Sequence, residues 1–315
     1  MKRQLFSIAV LSLVLNPCLR AQADYVYSPF DPPGAGGSAA SGINNSDQIV
    51  GMSSGATGDH GFLRSAGSYT TVEPSGAQSS YAVGINNSGQ VVGSYTSSDG
   101  RTTQGFLLGG GSYTMLSVPG STRTGAFGIN FFAEIVGSYD VGDKTYGFLL
   151  SGGRYTMLNV PGSTATIANG INNAGQIVGQ YVVSGRDIGF LLSGGSYTML
   201  SVPGSILTAA NGINNAGQIV GDYEDAAGKM HGFLFSDGTY TTLNVPGAGM
   251  TQALGINDAG LIVGDYEMNG PFFNEHSFLA TPTPEPATVV LMGIGLLGIT
   301  AYGWWKRRAL SSVSE

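Results

Sequence analysis

Three histidines are the side chains of this chain best suited to proton transfer or metal ligation, and all three share one local context. They occur as His60-Gly61-Phe62, His231-Gly232-Phe233 and His276-Ser277-Phe278. A catalytic base serves a single centre and needs its own unrepeated partners. A histidine that returns at one phase of a repeated segment reads instead as part of the scaffold. Serines are abundant, yet no Gly-x-Ser-x-Gly elbow with Asp and His partners is present. No Gly-rich phosphate loop ending in Lys-Ser/Thr and no Asp-x-Asp-x-Asp calcium loop occurs either. The sequence therefore offers no catalytic residue, cofactor-binding residue or metal ligand, and the expectation is a protein that is not an enzyme.

The chemistry that remains is carboxylate. Asp140, Asp143, Asp187, Glu224 and Asp225 fall in connections of variable length, and Phe272 and Phe273 lie in the longest of these. Variable loops on a rigid scaffold are where recognition usually sits, so these seven residues form the candidate binding face. The run Asp222-Tyr223-Glu224-Asp225 reads as a solvated loop able to contribute to a cation site. Tyr113, Tyr155 and Tyr197 recur at strand positions; they could line a sugar groove, although packing between repeats is the simpler role.

The elements that must carry these residues are repeats. Gly-Ile-Asn begins at Gly42, Gly84, Gly128, Gly170, Gly212 and Gly255, with successive spacings of 42, 44, 42, 42 and 43. Each copy continues to Val-Gly, then to Gly-Phe-Leu or its variant Ser277-Phe278-Leu279. Next comes a Tyr-Thr-rich strand ending in Pro-Gly, clearest from Gly110 to Gly120 and Gly194 to Gly204. Asn-Ala-Gly and Ser-Gly-Gly are turn sequences suited to positive φ, and the segments between them are rich in β-branched residues. Four short strands in about 43 residues is the size of a β-propeller blade.

The ends of the array refine this expectation. Tyr27 to Gly34 aligns with Tyr69 to Gly76, so a last-type strand precedes the first Gly-Ile-Asn, while the final copy stops at Ala280 without one. The predicted fold is all-β, a six-bladed β-propeller closed by its N-terminal strand over residues 24–280. The unit resembles the HAF-family extracellular repeat, which sets a His-Ala-Phe segment beside a Gly-Ile-Asn…Val-Val-Gly segment. The three His-Gly/Ser-Phe sites match in part, since Ala is never kept. The resemblance implies an extracellular location and no transferable chemistry.

The flanks read as addresses. Met1-Lys2-Arg3, the apolar run Leu5 to Leu15 and Ala21-Gln22-Ala23 form a signal peptide over residues 1–23, with which the lone Cys18 would depart. Residues 281–286 form a Pro-rich linker containing Pro284, Glu285 and Pro286. An uncharged run follows over residues 287–305, spanning about 28 Å as a helix. Lys306, Arg307 and Arg308 open a basic tail, residues 306–315, and act as a cytoplasmic stop. This tail resembles the PEP-CTERM sorting signal of Gram-negative bacteria that make extracellular polysaccharide. The resemblance implies an inner-membrane-anchored precursor, an exosortase-type processing enzyme as partner, and delivery to the cell surface or outside.

Composition bounds the function. Of 315 residues 51 are glycine and only 10% are charged, while 42% are hydrophobic, which is enough for a packed core. Asp24 to Thr283 carries 18 acidic against 7 basic residues, a net of −11. A nucleic-acid partner, which requires a basic face, is excluded on this balance. The sequence points to a surface-sorted, non-catalytic binding or matrix component that meets exopolysaccharide or an envelope protein. A passive spacer and a glycan-cleaving propeller enzyme are the rival readings.

Overall fold

Every Gly-Ile-Asn ends one strand and opens a tight turn into the next, and the remaining strands follow from that hairpin. The structure, a computed structural model, describes residues 25–268 and 275–283, and its strands belong to one unit, Tyr25–Pro282. Strand β1 (Tyr25–Phe30) comes first. The first repeat holds β2 (Gly37–Ile43), β3 (Ile49–Gly55), β4 (Gly58–Ser65) and β5 (Ser68–Val72). The second holds β6 (Ala77–Ile85), β7 (Val91–Ser97), β8 (Thr103–Gly109) and β9 (Ser112–Leu116). The third holds β10 (Arg123–Ile129), β11 (Ile135–Val141), β12 (Lys144–Ser151) and β13 (Arg154–Leu158). The fourth holds β14 (Ala165–Ile171), β15 (Ile177–Val183), β16 (Arg186–Ser193) and β17 (Ser196–Leu200). The fifth holds β18 (Leu207–Ile213), β19 (Ile219–Glu224), β20 (Met230–Ser236) and β21 (Thr239–Leu243). The last holds β22 (Ala248–Ile256), β23 (Ile262–Met268) and β24 (Glu275–Pro282).

Within each repeat the strands pair antiparallel in chain order. Single-residue parallel pairings, Arg123 with Thr103 and Thr145 with Ala165, join the second, third and fourth repeats into one twelve-stranded sheet. The last repeat receives its fourth strand from the other end of the chain. β1 pairs antiparallel with β24 from Tyr25↔Pro282 to Phe30↔Ser277, so β24 runs two residues into the segment read as linker.

Two glycine positions explain much of the glycine content. The Val-Gly glycine lies under the phenylalanine of the neighbouring strand: a Cβ on Gly137 would stand 2.8 Å from the Phe148 ring. Those phenylalanines are the core, with Phe62 3% exposed and Phe106, Phe148, Phe190, Phe233 and Phe278 fully buried. Each such burial contributes about 1.5–3 kcal/mol. A tyrosine meets each ring edge-on, and in the last repeat it is Tyr27 of β1 that meets Phe278, at 5.5 Å. The Gly-Ile-Asn glycine lets neighbouring repeats touch through their backbones. A Cβ on Gly170 would lie 3.0 Å from the Asn211 carbonyl, and one on Gly255 would lie 2.8 Å from the Ser41 carbonyl.

The asparagine of the same tripeptide does more than turn the chain. Asn44 Oδ1 accepts the N–H groups of Ser46 and Gln48, and its Nδ2 donates to Gln48 Oε1 at 2.8 Å. The same Nδ2 donates to the Asn86 carbonyl of the next repeat at 3.0 Å. Asn86, Asn130, Asn172 and Asn214 repeat this donation, and Asn257 returns it to the Asn44 carbonyl at 3.2 Å. Every donor and acceptor of a buried amide is thereby used, which removes the penalty for burying it.

Candidate functional site

One irregularity, repeated in each first strand, builds a cavity. Pairing with the second strand shifts register just before each Gly-Ile-Asn glycine, between Ala126 and Gly128 for example, which leaves one residue bulged. A β-bulge re-aims its side chain away from the regular alternation. The bulged residues are Ser41, Val83, Phe127, Asn169, Asn211 and Leu254, and all of them line one cavity of about 630 Å³. That volume lies in the usual range for small-molecule sites. A smaller space of about 80 Å³ is lined by the same bulged residues and the Gly-Ile pairs that follow them.

The cavity mixes apolar and polar side chains. Val83, Phe127, Ile167, Leu207, Ala209 and Leu254 give apolar surface, with Tyr81 beside them. Ser41, Ser94, Asn169, Gln180, Asn211, Asp222 and Gln252 give polar surface, its amides and Asp222 coming from the fourth repeat onward. The second residue after the Val of Val-Gly supplies Ser94, Gln180 and Asp222 to the lining, and Asp265 holds the same place in the last repeat. Asp265 pairs in register with the lining residue Gln252, so both side chains leave the sheet on one side.

Asp222 and Asp265 are the unusual members. Asp222, 6% exposed, accepts a 2.6 Å hydrogen bond from Asn211 Nδ2. Burial pushes its carboxyl up to about 6, against the pull of that hydrogen bond, and nearby Asp187 adds to the rise. Asp265 is 2% exposed, and its Oδ2 is the one buried side-chain polar atom without a hydrogen-bond partner among the described residues. Burial raises its carboxyl well above the ordinary range, and Glu275, Asp222 and Glu267 raise it further. Its Coulombic neighbours are all acids. The expectation of a solvated loop at Asp222 is therefore corrected: Asp222 lies inside β19 because its place in the strand faces the cavity wall.

The residues named from sequence divide among several places. Asp187 lines the cavity. Asp140 accepts a hydrogen bond from Thr145 Oγ1 at 2.8 Å and lines a separate space of about 270 Å³. Asp143 is exposed, Glu224 ends β19, and Asp225 accepts the N–H groups of Ala227 and Lys229 together with a contact from His231. Phe272 and Phe273 lie outside the described residues, as do Pro284, Glu285, Pro286, Lys306, Arg307 and Arg308, the signal segment and the apolar run 287–305. Each histidine meets the residue just after a fourth strand: His60 meets Glu73, His231 meets Asn244 and His276 meets Asp31. Tyr113, Tyr155 and Tyr197 pack edge-on against Phe106, Phe148 and Phe190. Among the described residues no group of three or more His, Cys, Asp or Glu is placed to hold a metal ion, and no helix is long and apolar enough to cross a membrane.

Sequence reasoning missed the pair Asp222 and Asp265 as a pair. The available signal was their shared place after Val-Gly, where earlier repeats carry Met52, Ser94, Ser138 and Gln180. It also missed Phe131 and Phe132, exposed and edge-on at 5.7 Å where the other repeats carry Asn or Asp followed by a small residue.

Residues 282–308 match the PEP-CTERM protein-sorting motif. The motif indicates export and sorting to the cell surface and implies processing by an exosortase-type enzyme. No curated protein matches the chain. Among solved structures, the chain is similar to a putative TolB from Agrobacterium tumefaciens at 15% identity and TM-score 0.54, covering 78% of this chain and 90% of that one. It is similar to TolB from Acinetobacter baumannii at 12% identity and TM-score 0.53, covering 79% of this chain. The chain spans 65% of that protein's length, just under two thirds. A triple mutant of AofleA from Arthrobotrys oligospora matches at 12% identity and TM-score 0.50, with 81% and 86% covered. At these identities the likeness is one of fold: the chain is all-β with β-propeller-like neighbours.

Proposed function

We propose that this chain is an exported, surface-sorted, non-catalytic binding protein that holds part of an exopolysaccharide or of an envelope protein in its bulge-lined cavity. The observation that carries the reading is the cavity itself: about 630 Å³, lined by apolar side chains and amides together, in a chain that bears a sorting motif. Apolar side chains suit the face of a pyranose ring or an aromatic side chain, and amides suit hydroxyl groups. The repeats belong in this reading to a six-bladed propeller of the HAF-repeat kind closed by β1. The supports for closure are the β1–β24 pairing and the asparagine donations that return from Asn257 to Asn44.

A glycan-cleaving enzyme is the second reading, favoured by two carboxyls in adjacent repeats, one of them raised to about 6. Glycoside hydrolysis needs one carboxyl kept protonated and its partner kept ionised by contrasting environments. Here burial raises both Asp222 and Asp265, which favours binding over cleavage. A glycan-array and pull-down screen with the full chain separates the readings. Retention of a glycan or envelope protein without release of reducing sugar is the expected result; release of reducing sugar would establish the enzyme, and no retention would leave the spacer.

A further inference from the structure

We propose that the cavity recognises an amino sugar with a free, protonated amine, its ammonium group held by Asp222 and Asp265. The inference rests on the proposed binding role and names the ligand class. Asp265 is a buried carboxyl with an unused oxygen; it lies just behind the lining, paired in register with the lining residue Gln252, and Asp222, which does line the cavity, holds the equivalent place on the neighbouring repeat. Every ionisable group that bears on the pair is acidic: Asp187 of β16, Glu267 of β23 and Glu275 of β24, with Asp59 of β4 acting on Glu275 in turn. No lysine or arginine lines the cavity.

Buried carboxylates persist as anions only when paired, and this pair has no cation of its own. An ammonium supplies the missing donor to Asp265 and relieves the mutual repulsion of the acids. A compact organic cation suits the site, since the described carboxylates do not gather into a metal cluster. The rest of the lining selects the body that carries the amine. Asn169, Gln180 and Gln252 can meet ring hydroxyls, while Val83 and Phe127 offer apolar surface to the ring. An acetylated amine carries no charge and leaves the Asp265 oxygen unserved.

The test is calorimetric titration of the full chain with glucosamine, N-acetylglucosamine and glucose at pH 7.5 and pH 5. Glucosamine is expected to bind at least tenfold more tightly than either neutral sugar at pH 7.5. The preference is expected to shrink at pH 5 as the carboxyls take up protons. Asp265→Asn and Asp222→Asn are each expected to remove the preference while melting at or above the wild-type temperature at pH 7.5, which separates lost recognition from lost fold. Equal affinity for glucose, or an unchanged preference in both variants, would overturn the ammonium site and leave the binding role standing. Failure of glucosamine to bind would also overturn it, and the pull-down screen would then decide the binding role by itself.

Discussion

A buried carboxyl is a pH sensor whether or not it serves a ligand. The folded-state value of Asp222 lies near 6 against 3.8 for a free side chain, so between those values the folded chain binds a proton that the unfolded chain has released. Stability contributed by that proton is present below the unfolded value and is lost as pH rises through the folded one, a difference of about 3 kcal/mol. Asp265 acts in the same direction. Chemical denaturation of wild type and Asp222→Asn at pH 4 and pH 7 checks the sign. The variant should gain stability on the wild type at pH 7 and none at pH 4. A variant less stable at pH 7 would mean that the Asn211 hydrogen bond outweighs desolvation. None of this was legible in the sequence, because Asp222 was read with Tyr223-Glu224-Asp225 as a solvated loop, and only the strand pairing turns it inward. Asn44 and its equivalents were read as turn formers, and they are; their donation to the next repeat depends on a neighbour that the local sequence does not contain.

At the scale of elements, the four strands of each repeat were legible because turn residues bracket every one of them. Asn173-Ala174-Gly175 lies between β14 and β15, and Gly194-Gly195 lies between β16 and β17, with positive φ at Gly175, Gly194 and Gly195. The bulges were not legible, since a register shift leaves no composition signal when the extra residue is Ser in one repeat and Phe in another. Strand β1 was legible from its alignment with Tyr69 to Gly76, and its side chains complete the last repeat. Tyr27 takes the edge-on place against Phe278, and Asp31 meets His276 while accepting a hydrogen bond from Ser38 Oγ at 2.6 Å. Deleting residues 24–34 should strip a full strand ladder from β24 and expose Phe278. Thermal unfolding should then occur at least 10 °C lower, as losing several kcal/mol requires in a domain of this size. An unchanged melting temperature would mean that β1 is dispensable to the last repeat.

At the scale of the whole molecule, the glycine-rich, charge-poor composition now has physical causes. Glycines permit ring-on-backbone packing and close contact between repeats, and the core of each repeat is filled by apolar side chains. The sorting motif indicates export to the cell surface, and the cavity is the place where the proposed binding would occur. The most direct measurement of that claim is ligand retention by a chain whose cavity has been filled. Gln180 is a half-buried residue of the cavity lining, and Gln180→Trp places an indole in the space without touching the asparagine donations or the phenylalanine core. The account predicts that this variant melts within a few degrees of wild type and loses retention of surface glycan or envelope protein in the pull-down. Retention at the wild-type level with the indole in place would contradict it.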